Sequence, residues 1–456
     1  MNPYDYVEAH REAFVGELIE FLRIPSISTL SDHAGDVRRA ATWLADHLAS
    51  IGMQRVEVVE TARHPIVYAE WLGAPGKPTV LIYGHYDVQP VDDPEGQWLS
   101  DPFEPEVRDG NLYARGATDN KGQLLTQIKA IQALLASGEM PVNVKFVIEG
   151  EEESGSTNLY PFVELNAERL AADIVVVSDT GMKSLAEPSI VYGLRGIAYM
   201  EIEVRGPAHD LHSGTYGGVV HNPAQALVEI LAQLHDDQGR VMAPGFYDRV
   251  AVISDEERAE LAKTPMTEEQ LRRETGAPAS WGEVGYALHE RTGIRPTLEI
   301  NGLISGWTGE GSKTVLPSKA LAKVSCRLVP DQDAQEIAAL VSDYVQSITP
   351  PTVTSAVRLL HHGRWAVVDA SSPEMKAARE AYEFGFGKQP TFVREGGSVP
   401  IVGAFQSALQ APVILMGFGQ QDDNLHGPNE KFALACFSGG MKTALKFYEM
   451  IGQRGA

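Results

Sequence analysis

The sequence predicts an α/β fold, a sheet domain interrupted by an inserted α+β module, and three observations predict it. Up to about residue 188, short Val/Ile-rich runs alternate with helical patterns. From residue 189 the texture changes to long strand-like runs and charged helical stretches. Beyond residue 364 the first style returns. The expected domains are therefore 1–188, 189–363 and 364–456, with the outer two segments forming one body around the middle one.

The elements follow in order. Val7, Phe14, Leu18, Phe21 and Leu22 recur at helical spacing, and a second helix over 36–50 stops at Gly52. Strands are predicted over 55–60, 65–72 and 79–83. The last breaks on Gly84 into His85, Tyr86 and Asp87, the pattern of a buried strand delivering polar groups at its C-terminal end. A helix over 121–137 opens at the end of ARGATDNKG, just after Asp119 and Asn120, and a strand over 142–148 runs directly into EGEEESGS. A helix over 160–170 precedes the strand 174–177, which ends in Ser178 and Asp179. The insert reads as a long strand region over 190–205 around GLRG, then HDLHSG, a helix over 222–235 and a charged helical stretch over 254–291. Strands over 297–303 and 321–329 follow, and an Asp331/Asp333 cap starts a helix over 334–348. The closing segment holds a helix over 373–386, REGGS at 394–398, a strand over 412–416, DDNLHGPNE and a last long helix.

The 456 residues, 43% apolar and 22% charged, suit a globular chain too long for one ordinary core. A formal charge of −23 argues against nucleic acid or an anionic membrane as the main partner and favours a small-molecule enzyme. The N-terminal segment is an amphipathic helix pattern without a signal peptide's apolar core, and no stretch approaches ~18 uninterrupted apolar residues, so a cytoplasmic protein is expected. Cys326 and Cys436 lie in apolar runs, where small buried side chains are expected.

Five places put His, Asp or Glu just past a strand or in a Gly-rich turn: His85 with Asp87, Asp119, Glu151 to Glu153, Asp179 and His426. Singly, each reads as a cap or a surface turn residue. Gathered in one cavity, the carboxylates would repel one another unless divalent cations neutralised them. Two imidazoles and three carboxylates suit zinc, or manganese given the oxygen content, and a shared carboxylate suggests a pair of ions ~3.5–4 Å apart. Rival motifs fail: GWTGEGSKT has Ser312 where a phosphate loop requires Gly before Lys313, and no G-x-S-x-G surrounds Ser398.

Through YGHYDVQP, LYARGATDNKGQ, EESGS, YGLRG, DLHSGTYGG, KTVLP, RLVPD, REGGS and the terminal His426 segment, the chain resembles the carnosinase-type cytosolic dipeptidases. These belong to the aminoacylase and succinyl-diaminopimelate desuccinylase superfamily of metallopeptidases. The resemblance implies a mixed-sheet catalytic domain with helices on both faces, and an insert that serves as lid and dimerisation domain. It implies two divalent ions, Zn2+ or Mn2+: one held by His85, Asp119 and Asp179, the other by Asp119, Glu153 and His426, with Asp119 bridging. Asp87 would orient His85, Glu152 would be the general base, and the Asp119–Asn120 peptide would be cis. Because Glu151 precedes the pair, the register rests on the SGS anchor and a one-residue slip stays open.

The implied substrate is a dipeptide. Its C-terminal carboxylate would meet Arg327, with Thr314 nearby, and Glu395, Gly397 and Ser398 would make further contacts. Apart from the resemblance, Arg327 also reads as a structural partner of Asp331 or Asp333, and HDLHSG reads as a plain turn with His209 and His212 solvated. In the family the histidine matching His212 enters the partner subunit's site, which implies a homodimer. The expectation is a dinuclear metal-dependent dipeptidase. Its rivals are an N-acyl-amino-acid deacylase on the same metals and a catalytically dead binding or scaffold protein.

Overall fold

The computed structural model describes residues 1–91, 93, 95–138, 140–397, 399 and 401–454. The chain forms two compact units, one made of Met1–Tyr192, Val368–Val393 and Ile401–Ala456, the other of Gly193–Val367 and Arg394–Pro400. The insert thus starts and ends a few residues later than the texture of the sequence suggests, and the segment 394–400 groups with it. Local bonding explains the latter: the Arg195 backbone N–H and Nε donate to the carbonyls of Gly397 and Gly396, each at 3.2 Å.

In the first unit the sheet runs in the order Arg55–Val59, Ile66–Trp71, Asn143–Glu149, Thr79–His85, Ile174–Val177, Val413–Leu415 and Ser189–Leu194. The middle strands, from Asn143–Glu149 to Val413–Leu415, lie parallel, and antiparallel strands flank them. Val80, Leu81, Ile82 and Tyr83 are all buried, as a central parallel strand covered on both faces requires. Parallel pairing has a consequence for chemistry, because it puts all the carboxyl ends on one edge. His85 stands opposite Glu149, Tyr83 opposite Val177 and Leu415 opposite Val177. The residues that follow each strand therefore emerge side by side.

The helix Lys121–Ser137 packs on the strand Thr79–His85 and against the helix Leu434–Arg454, and most of its residues are buried. Its first turn sits close to its neighbours: a Cβ on Gly122 would lie 2.0 Å from the Ala117 carbonyl oxygen and 2.7 Å from the Phe432 ring. Lys121 is buried too, and its ammonium donates to the carbonyls of Phe21 and Ile24 at 3.1 and 2.6 Å.

The second unit is built on an antiparallel sheet in the order Thr297–Ser305, Lys319–Leu328, Gly196–Arg205 and Thr354–Gly363. Ala198, Met200, Ile202 and Val204 point to one face, where they form a core with Leu227 and Ile230 of the helix Pro223–Leu231 and Val341 and Val345 of the helix Ala334–Ile348. On the other face Glu201 pairs with Lys323 and Arg358 of the adjacent strands. Cys326 belongs to this core, and both cysteines are free and buried.

Three predicted elements are divided in the structure. The charged stretch over 254–291 forms three short helices, Asp255–Leu261, Glu268–Thr275 and Leu288–Gly293. Ser254 and Thr267 cap the first two, and Gly276 ends the second in the left-handed conformation. The helix expected over 160–170 divides at Asn166 into Leu159–Leu165 and Ala167–Leu170. The long strand region over 190–205 divides at Arg195. Asp333 alone caps the helix after the RLVPD segment, accepting from the N–H groups of Gln335 and Glu336 at 2.9 and 3.0 Å. Among the described residues no helix is long and apolar enough to cross a membrane.

Candidate metal centre

At the carboxyl edge of the parallel strands, two groups share one residue: His85, Asp119 and Asp179, and Asp119, Glu153 and His426. Within each group one potential ligand atom per residue lies within 4.8 Å of the others. The shared carboxylate is divided between the two histidines. Asp119 Oδ1 is 3.0 Å from His85 Nε2, and Asp119 Oδ2 is 3.0 Å from His426 Nε2. Asp179 Oδ1 completes the first group 3.5 Å from His85 Nε2, and Glu153 Oε2 the second 3.4 Å from His426 Nε2.

The far side of each ligand is tied down. His85 is fully buried, and its Nδ1 lies 3.1 Å from the Asp87 carbonyl and 3.3 Å from Asp87 Oδ1, so Nε2 is the atom turned to the centre. The same Asp87 carboxylate accepts the N–H groups of Glu152 and Glu153 at 3.2 and 3.0 Å. Asp87 therefore does more than orient a ring, because it also anchors the acidic turn. Glu151 is drawn away from the centre by the N–H of His64 at 2.8 Å and by Asn158 Nδ2 at 2.8 and 2.9 Å. Gln89 Nε2 donates to Glu153 Oε2 at 2.6 Å.

Asn120 joins three of the segments. The peptide before it is cis, as the resemblance implies. Its Nδ2 donates to Asp179 Oδ1 at 2.8 Å and its Oδ1 accepts the His85 N–H at 3.2 Å. A Cβ on Gly84 would stand 2.9 Å from that Oδ1, so glycine occupies the penultimate strand position, where this amide must approach.

The electrostatics are those of a crowded acidic site. Burial, then the charges of Asp119 and its neighbours, raises Glu153 well above the carboxylate range, and burial with the charges of Asp179, Asp119 and Asp87 raises Glu152 likewise. Burial opposes a charged His85, but Asp179, Asp119 and Asp87 outweigh it and hold its pKa well above the usual imidazole value. The hydrogen bond to Asp119 raises His426. Burial also opposes ionisation of Asp119, yet its bonds to His426 and His85 hold it below the usual carboxylate range. Cations bound here would neutralise the clustered carboxylates and compete with protons for the same side chains. Two imidazoles and three carboxylates converging in this way, with one carboxylate shared, fit a pair of divalent ions. Glu149 next door is pushed up to about 8 by burial and the charge of Asp87, and it accepts from Tyr83 Oη and Ser156 Oγ, each at 2.8 Å.

The remaining predicted residues belong to the second unit. His212 is exposed and opens the short helix Ser213–Tyr216, its Nδ1 accepting the Gly214 N–H at 3.0 Å. Its neighbour across the ladder is Val315, and the Thr314 carbonyl accepts the Ser213 N–H at 3.2 Å, so His212 and Thr314 come together. Arg327 is partly buried in the strand Lys319–Leu328 and lines a cavity of about 340 Å³ with Arg195, Arg295 and Glu299. Glu395 closes the strand Thr391–Glu395, Gly397 is exposed, and Ser398 lies outside the described residues.

Sequence reasoning missed Arg195 and Glu430, and of Asn120 it gave the cis peptide but not the side-chain contacts. Asn120 had only its peptide geometry to announce it. Arg195 stands in GLRG, where a buried guanidinium is indistinguishable from a strand-end arginine. Burial first, and then the charge of Arg327, lowers its pKa to about 10. Glu430 stands four residues after His426 in a Gly/Pro/Asn turn, a setting that normally marks a solvated residue.

Comparison with known proteins agrees with this geometry. The family model described as "Peptidase family M20/M25/M40" matches residues 81–450. The chain is 32% identical over 467 residues to the Cys-Gly metallodipeptidase DUG1 of Saccharomyces cerevisiae, covering 98% of this chain and 97% of that one. It is 32% identical over 472 residues to the human Beta-Ala-His dipeptidase, covering 99% and 92%. The solved structure of the Saccharomyces cerevisiae di-peptidase Dug1p superposes with a TM-score of 0.88 at 32% identity, covering 99% of this chain and 98% of that one.

Proposed function

The chain belongs to peptidase family M20/M25/M40 and is a metal-dependent dipeptidase, and from that premise we propose that it hydrolyses dipeptides with a free C-terminal carboxylate at a dinuclear centre. The observation that carries this reading is the division of Asp119, one oxygen toward each histidine at 3.0 Å. In the proposal His85, Asp119 and Asp179 hold one ion, Asp119, Glu153 and His426 hold the other, and the ions are Zn2+ or Mn2+. Bound there, the pair would supply Lewis-acid polarisation of the scissile carbonyl and acidify a water.

The chain's own residues do the rest. Glu152 takes the proton from the attacking water on its carboxylate and returns it to the leaving amine. To act as base its carboxylate must start ionised, and burial beside other acids strengthens its hold on the proton it then receives. Asp87 keeps Glu152 in place through the backbone and fixes the His85 tautomer. Arg327 pairs with the substrate carboxylate, with Thr314, Gly397 and Ser398 as further contacts, and Glu395 meets the amino group.

His212 donates to the developing oxyanion of the partner subunit's substrate. Because Nδ1 accepts from Gly214, the neutral ring carries its proton on Nε2 and is a donor there. A homodimer is favoured by the edge strand Thr297–Ser305, on which Ile300, Leu303 and Ile304 are 45%, 58% and 59% exposed. Two free buried thiols fit a cytoplasmic enzyme.

The reading is tested with free and N-acylated dipeptides, before and after EDTA. Hydrolysis of the free set, lost on chelation and restored by Mn2+ or Zn2+, is expected; preference for the acylated set would move the assignment to a deacylase. Mixing inactive Glu152→Ala and His212→Ala subunits is expected to restore part of the activity, since mixed dimers contain one intact site. No recovery after subunit exchange has been demonstrated would remove His212 from the partner's site.

A further inference from the structure

We propose that Glu430 and Arg115 are a buried positioning pair that holds the bridging Asp119 and the ligand His426 in register, an inference that rests on the dinuclear reading above. Glu430 is fully buried, and its carboxylate accepts four hydrogen bonds from one short segment. Oε2 accepts Arg115 Nη1 at 2.7 Å and the Gly116 N–H at 3.0 Å, while Oε1 accepts the N–H groups of Thr118 and Asp119 at 3.1 Å each. One side chain thus satisfies the backbone donors of the turn that presents Asp119, just ahead of the helix Lys121–Ser137. The Glu430 carbonyl adds a fifth tie, accepting the Ala114 N–H at 3.0 Å.

Arg115 closes the circuit. Its second terminal nitrogen, Nη2, donates to the His426 carbonyl at 3.1 Å. The bridging carboxylate and the histidine on the far ion are therefore connected through the backbone by a single ion pair with both side chains buried. The turn that bears His426 needs such support. Asn424, His426 and Asn429 all take positive φ, at 55°, 61° and 57°, a region that residues with a Cβ adopt rarely and keep only where their surroundings impose it. Asn429 is itself pinned, donating to the Gln97 carbonyl at 2.7 Å and accepting the Leu99 N–H at 2.8 Å.

Stability alone gives a poor account of this pair. Two charges taken from water seldom gain more than a well-packed apolar pair would, and the better attested use of such pairs is to specify one geometry. The three backbone N–H groups that Glu430 accepts fix where the Asp119 turn sits relative to it. The pair sets the distance between Asp119 and His426, and with it the affinity for the ions.

The test uses the full-length protein stripped of metal and titrated with Mn2+ by calorimetry, with melting temperatures and steady-state kinetics alongside. In Glu430→Gln an amide nitrogen faces donors where an oxygen stood, so the Asp119 turn shifts. Both Mn2+ binding steps are expected to weaken by about 10–100-fold, because Asp119 serves both ions. Arg115→Lys keeps the charge but cannot reach Glu430 and His426 together, and only one step is expected to weaken by that factor. In both variants excess Mn2+ restores kcat while KM for the dipeptide stays at the wild-type value.

Folded variants with two wild-type binding steps would overturn the proposal. So would equal weakening of both steps by both variants together with a lower metal-free melting temperature, the mark of scaffold loss alone. Should Glu430→Gln fail to fold, Arg115→Lys decides. The control is Asp119→Ala: if it binds two Mn2+ as tightly as wild type, the dinuclear reading itself has failed and this inference falls with it.

Discussion

Glu152→Gln is expected to fold, to take up two divalent ions and to turn over dipeptides about 10²–10⁴ times more slowly than wild type, the usual range for removing a general base. The substitution keeps the shape of the side chain and removes only its capacity to take a proton. The backbone N–H of Glu152 that binds Asp87 is untouched, so the acidic turn keeps its anchor. Metal analysis and kcat on a good dipeptide substrate check the two halves separately. Near-wild-type kcat would reassign the base and reopen the order of the three glutamates. Glu151 would be a poor alternative, since its carboxylate is already engaged by His64 and Asn158.

Asp119→Ala is expected to lose more activity than the about 10–100-fold that removal of an outer partner costs, because each ion loses a direct ligand. The fold should survive. Asp119 lies among Asp87, Glu152, Glu153 and Asp179, and deleting one carboxylate from that cluster relieves repulsion even as His85 and His426 lose a hydrogen-bond partner. The backbone of the turn remains held by Glu430. Elemental analysis should show both ions lost or sharply depleted. Retention of two tightly bound ions with wild-type kcat/KM would end the assignment of Asp119 as the bridge.

Part of the centre was legible because its local signals were strong. His85 follows an apolar run that breaks on glycine, Asp119 sits in a Gly/Asn turn before a helix, and Asp179 follows a Val-rich strand; each reading needs only a few neighbouring residues. The acidic run Glu151 to Glu153 was less legible, since composition cannot say which of three identical side chains points where. Their division depends on His64, Asn158, Gln89 and Asp87, which arrive from other strands and loops. Helix limits in 254–291 were misread for the reverse reason, as charge patterning suggested one long run while Ser254 and Thr267 start separate helices and Gly276 ends the second.

By itself the sequence determined the alternation that makes an α/β sheet, the change of texture that marks the insert, and the residue types able to hold divalent ions. Those are properties of periodicity, turn chemistry and donor softness, all read over short distances along the chain. Only the tertiary structure decided that Asp119 turns one oxygen to His85 and the other to His426, that Glu151 faces away, and that Glu430 and Arg115 brace the turn between them. The physical reason is that parallel pairing gathers strand ends from remote parts of the chain on one edge, and hydrogen-bond partners there are chosen by proximity in space.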